Sequence, residues 1–182
     1  MRASDNLIIA IDDVPSKLSS DNFRLVPPFE NVKTGSLTIN VDRNIFARDE
    51  VARRLMTSYM GNPTLPPIIA ALENPVVLDD TRVRASFEHM KSNQAYIDFN
   101  PPKTYSNLSF IDVQQGHITR EKFRDKIVIV GRDLQTTIKD YVRTPHSREI
   151  VAMTVSELLA NMIDTLIRNS APQKVSNLVN HI

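Results

Sequence analysis

Residues 126–145 read KIVIVGRDLQTTIKDYVRTP. Ile127, Val128, Ile129 and Val130 form an unbroken β-favouring apolar run that stops at Gly131. Such a run predicts a strand buried on both faces of a sheet. A strand of that kind needs layers above and below it, which places it in the middle of the domain. The polar segment behind it then leaves at the strand's carboxyl end, where open α/β sheets bind ligands. Asp140, Arg143 and Thr144 fall in that segment and bring a carboxylate, a guanidinium and a hydroxyl together just before Pro145 and His146. They are the candidate contacts for a small polar ligand. The plainer reading is that Asp140 pairs with a neighbouring base and Thr144-Pro145 turn the chain.

Working outward, Glu149 to Asn169 predicts the longest helix. Val151, Val155, Leu158, Leu159, Met162, Ile163, Leu166 and Ile167 fit one apolar stripe. Leu7 to Ile11 is a short apolar run and reads as a buried strand ending in Asp12-Asp13. From Val14 to Lys33 no helical period survives, and the stretch reads as a long loop. Gly35 to Asp42 alternates cleanly and reads as one half-exposed strand, turning at Arg43-Asn44 into Ile45–Arg48. The basic cluster from Arg43 to Arg54 reads as a solvated polar face, offset by Asp42, Asp49 and Glu50. Thr64 caps a helix through Leu65–Leu72 with prolines in its first turn. Thr81 to Asn93 shows weak helical spacing, and Ala95 to Phe99 reads as a strand. Together these predict an α/β fold: one domain over residues 1–169, a mixed and mostly parallel sheet flanked by helices, and a polar tail over 170–182.

Composition narrows the chemistry. The 182 residues carry 41% hydrophobic and 24% charged side chains, a globular balance that argues against wholesale disorder. A net charge of +1 is too small to suggest nucleic acid or a membrane surface as partner. Cysteine is absent, so disulfides, thiolate metal sites and thiol nucleophiles are excluded. His89, His117, His146 and His181 share no ligand spacing. Asp12, Asp13, Asp98 and Asp112 stand at predicted strand ends without a cation-loop pattern. No metal and no cofactor is expected, and four glycines leave little room for a phosphate loop. The N-terminal residues do not read as a signal peptide. The most apolar stretch, Ile150 to Arg168, is interrupted by Glu157 and Asp164 and reads as a core helix. A hydrolase built on Asp140 and His146 would need a nucleophile that the chain does not single out.

The order of these pieces carries more information than any one of them. Tyr96-Ile97-Asp98-Phe99 is followed by Thr104-Tyr105, then Ser109-Phe110-Ile111-Asp112-Val113, Phe123 and Lys126–Gly131. Asp140 and Thr144-Pro145 come next, leading to the long apolar helix. This series resembles the type-two CHASE sensor family, in which an "iDF" strand precedes "f.GKiVlIG" and "D...TP". Gly35 to Arg48 is similar to that family's "Gf.n...D.dgv.R" segment. The family's glycine before Lys126 is Asp125 here, and its Gly and His-Ala where the last helix begins are Ala152 and Ser156-Glu157. Its first strand–helix–strand part has no counterpart, and Leu7–Asp12 corresponds to a middle strand. The resemblance implies a periplasmic or extracellular input module of a membrane-anchored receptor, one with a cyclase or kinase output. It would have no catalysis of its own, would respond to an unidentified small molecule or stress signal, and would work as a homodimer. An assembly module that binds nothing small remains the alternative.

Overall fold

The computed structural model describes residues 7–11, 29–42, 49–101, 103–133, 140–147 and 153–173. The element that organises them is a strand the sequence reading passed over. Ala52–Tyr59 (β4) holds the centre of the main sheet, with Asn40–Val41 (β3) on one side and Ser92–Tyr96 (β7) on the other. Phe87–His89 (β6) extends the sheet beyond β7, and Asn62–Pro63 (β5) pairs with the end of β4. Every pairing in this sheet is antiparallel, which corrects the expectation of a mostly parallel one. The reason is local. Met60-Gly61 and Met90-Lys91 all have positive φ, the backbone of two-residue hairpin turns, so the chain reverses instead of crossing over. The hairpin at Met90-Lys91 replaces most of the helical reading of Thr81–Asn93, and only Asp80–Arg82 forms a short helical turn. A parallel pair does exist apart from that sheet, between Ile8–Ile11 (β1) and Lys33–Ser36 (β2).

Arg53 and Arg54 concealed β4. Both are ion-paired within the fold: Arg53 to Asp42 at 2.9 Å and to Asp49 at 2.5 Å, Arg54 to Asp42 at 2.5 Å. Paired in this way, two adjacent cations can sit in a central strand whose Ala52 and Leu55 are fully buried. Residues 43–48, part of the basic stretch, lie outside the described residues, as does the expected strand at 45–48. Gly35–Asp42 does not run as one strand. It pairs with β1 over its first residues and with β4 over its last, while Leu37, Ile39 and Val41 pack on the core.

Ile127–Val130 is corrected most. It is extended but joins no sheet, and its backbone makes no hydrogen bond among the described residues. Ile127 and Ile129 lean on the core, whereas Val128 and Val130 are exposed. The central position is already filled, because β4 has a neighbour on each edge.

Helices close one side. Leu65–Ala70 (α1) has Thr64 as its N-cap residue, yet the Thr64 hydroxyl turns back to the Met56 and Thr57 carbonyls and ties the helix to β4. Gly35 lets β2 lie against this helix; a Cβ there would stand 2.9 Å from the Leu65 Cα. Phe110–Gln114 (α2) is short and buries no residue. After Tyr141–Val142 (β8) and Met153–Thr154 (β9), the long helix runs over Val155–Ile167 (α3). Its Leu158, Leu159, Met162, Ile163 and Leu166 meet Leu65, Ala70, Leu55, Ala95 and Ile97 in one core. The expected start of that helix at Glu149 and the loop from Val14 fall mostly outside the described residues. Beyond α3 the expected tail is not all loose, since Ala171 is buried.

Candidate functional site

The three sequence-derived contacts come together on β8 and the turn behind it. β8 pairs antiparallel with β9, which leads directly into α3. Thr154 caps that helix by accepting the Glu157 N–H at 3.1 Å. Asp140 is buried and held by Arg132. The guanidinium Nε donates to both carboxylate oxygens at 3.2 and 3.1 Å, and Nη2 donates to Oδ1 at 2.9 Å. This carboxylate raises the Arg132 pKa, chiefly through the hydrogen bond. One residue further on, the Tyr141 hydroxyl donates to Asp133 at 2.6 Å. Residues 132–133 thus pin residues 140–141.

Gly131 permits this. A Cβ at that position would lie 1.9 Å from the Ser156 hydroxyl, so Gly131 brings the extended segment against the first turn of α3. Arg143 bridges to β4: the Ala52 N–H donates to its carbonyl at 2.7 Å, while its side chain is exposed and bonds to nothing among the described residues. Thr144 is buried. Its N–H donates to the Ser147 hydroxyl at 3.0 Å, and the Ser147 N–H donates back to the Thr144 carbonyl at 2.9 Å. Thr144 thus closes a tight turn rather than facing outward.

That turn presents Pro145 to a cleft of about 250 Å³ lined also by Arg53, Tyr96, Ile97, Phe99, Pro172 and Gln173. None of Asp140, Arg143 and Thr144 lines it; they hold the turn that does. His146 sits edge-on to Phe99, ring centroids 5.9 Å apart, and no hydrogen bond joins it to Asp140. Arg53 is the cation of the cleft, and its own pKa is raised mainly by the bond to Asp49. That same bond holds the Asp49 carboxyl down to about 2.

The sequence reading missed Arg53, because it lay in a stretch taken for solvated surface, and Pro172-Gln173, because they lay in a supposed tail. Phe99 and Tyr96 were legible only as strand residues. Asp98 and Asp112 do not converge: Asp98 pairs with Arg168 at 3.1 Å and Asp112 with His117 at 3.5 Å. Asp12, Asp13 and His181 lie outside the described residues. Among the described residues no group of three acidic or histidine side chains is arranged to hold a metal ion. Among them, too, no helix is long and apolar enough to cross a membrane.

The cleft thus lies beside the Thr144-Pro145 turn and the segment that leaves α3. The chain belongs to the CHASE2 domain family, whose model matches residues 2–181. CHASE2 is a family of sensor domains of signalling receptors, and its members are generally extracytoplasmic. No curated protein and no solved structure matches the chain.

Proposed function

We propose that this chain is the extracytoplasmic signal-input domain of a transmembrane receptor with a cyclase or kinase output, and that it carries out no chemistry itself. One observation supports this reading above the others. Pro145, from the turn that leads towards α3, and Pro172-Gln173, from the segment that leaves it, line the same cleft. A ligand seated there touches the chain on either side of α3, so occupancy can favour one setting of that helix over another. It does so only through a difference in affinity between the two settings. Asp140 and Thr144 fix the turn, and Arg143 offers an exposed guanidinium beside it for a polar group on the ligand.

The test is made in the intact receptor. Arg143→Ala and Asp140→Asn shift the dose–response of the output, while the melting temperature of the isolated domain under Arg143→Ala stays within a degree or two. Unchanged output in both variants, with the protein folded, overturns the reading.

A second reading has its own support. Phe110, Ile111, Val128 and Val130 are all more than half exposed, and exposed apolar side chains mark a contact surface where they join in one patch. On that reading the domain sets receptor dimerisation and binds nothing small. Sedimentation showing a dimer, with no melting shift across a broad metabolite set, would favour it.

A further inference from the structure

The exposed wall of the Pro145 cleft is almost wholly carbon, with Tyr96, Ile97, Phe99, Pro145 and Pro172 along it. Arg53 is the one charged side chain there, and it brings no unmatched charge. Its Nη1 donates to Asp42 at 2.9 Å and to Asp49 at 3.0 Å, and its Nη2 donates to Asp49 at 2.5 Å. Arg54 shares Asp42, so two guanidiniums stand against two carboxylates. A carboxylate or ammonium entering the cleft would shed water against carbon and meet no opposite charge in need of a partner.

Each aromatic ring of the cleft is held by a second ring. Phe87 lies against Tyr96 with ring centroids 5.7 Å apart, and His146 meets Phe99 edge-on at 5.9 Å. Walls fixed in this way need little ordering when a ligand arrives, which leaves more of the contact energy as affinity. Flat rings prefer offset or edge-on contact with other flat rings, and the wall offers two of them beside two prolines. Size sets a limit as well. A dry cavity of about 150 Å³ takes one benzene. At about 250 Å³ this cleft has room for one ring or two fused rings. It falls below the roughly 300–1,000 Å³ of sites that take drug-sized molecules.

We infer that the ligand of this cleft is an uncharged aromatic molecule of one or two rings. The ring lies between Tyr96, Phe99 and the prolines, and any polar group it carries stays at the open mouth. The ligand class rests on the reading of this cleft as the sensing site.

The experiment labels the isoleucine methyl groups and phenylalanine rings of the 182-residue chain with carbon-13 and titrates it with indole, indoleacetate, tryptamine and hexanol. Indole is expected to shift the Ile97 and Phe99 signals saturably, and hexanol at the same concentrations is not. Neither charged indole binds more tightly than indole itself. Gln173→Trp, which plugs the rim, and Phe99→Ala, which removes a wall, each weaken the indole response at least tenfold. Met90→Glu, at the β6–β7 hairpin, leaves it unchanged. Gln173→Trp decides the matter if Phe99→Ala does not fold, because Gln173 is exposed. Four results overturn the ligand class: no saturable shift, an equal response to hexanol, a charged indole that binds tenfold more tightly, or binding that neither cleft variant alters. Failure of the class and failure of sensing separate in the intact receptor. No indole binding, with an output that still responds to Arg143→Ala, removes the class and keeps the sensor. Indole binding that leaves the output unmoved keeps the class and removes the sensor.

Discussion

Asp49 is an exposed carboxyl whose acidity is set chiefly by Arg53, with a lesser part from the Val51 N–H. The hydrogen bond from Arg53 holds it at about 2, against an ordinary value of 3.8. Its folded-state value is depressed, so the support it gives Arg53 is fully present above the ordinary carboxylate range. That support is lost as pH falls through the ordinary value towards about 2. Carbon-13 titration of the aspartate carboxyls should find this group among the most acidic, and Arg53→Ala should return it to the usual range. Gly131 makes a second test at this scale. Gly131→Ala drives a methyl into the Ser156 hydroxyl and should cost about 1–3 kcal/mol. Gly131→Ala combined with Ser156→Gly should recover most of that, measured as a coupling in urea unfolding. At this scale the sequence was informative where partners are close along the chain. Asp140 with a neighbouring base and the Thr144-Pro145 turn were both legible. Arg54 was not, because Asp42 and Gln94, the residues that make it tolerable in a strand, stand twelve positions before it and forty after it.

Among the elements, α3 was the plainest in the sequence, since a 3.6-residue apolar stripe has few other meanings. Two polar residues inside that helix tie it to the sheet. Asn161 is fully buried and accepts the Asn100 N–H at 2.8 Å; Thr165, one turn later, accepts the Asp98 N–H at 3.1 Å. Residues 98–100 continue the line of β7, so the helix supplies the acceptors that a further strand would have offered. Asn161→Leu leaves the Asn100 N–H buried without a partner and should cost about 1–3 kcal/mol, read as a lower urea midpoint with unchanged slope. The β6–β7 hairpin was illegible because Met90-Lys91 hold the left-handed backbone that Asn-Gly ordinarily signals. β4 carries a further irregularity. Its register with β7 shifts between Met56 and Ser58, as an inserted residue would produce. Thr57 and Ser58 both donate to the Asp80 carboxylate, and that pins the turn after α1 to the sheet. No local pattern announces such a clamp.

For the molecule as a whole, order is unevenly distributed. β4, β7 and α3 carry the buried core, whereas nearly every side chain from Lys103 to Lys126 is exposed. Amide hydrogen exchange should divide accordingly, with Leu55 and Leu166 slowest and residues 103–130 exchanging through local opening well below the global barrier. Uniform protection would contradict this division. The α/β class was legible from the mixture of apolar runs and the long stripe. The direction of the strands was not, because hairpin turns decide it and theirs lack the usual residues. The unbonded ribbon at Ile127–Val130 has a consequence for handling the protein. Four β-prone residues with open backbone groups and two bare valines make an adhesive margin, to which any stray extended chain can attach. Crowded preparations should therefore cloud or form fibres from this margin first. Lysine in place of Val128 or Val130 should raise the concentration at which light scattering begins, with little change in melting temperature.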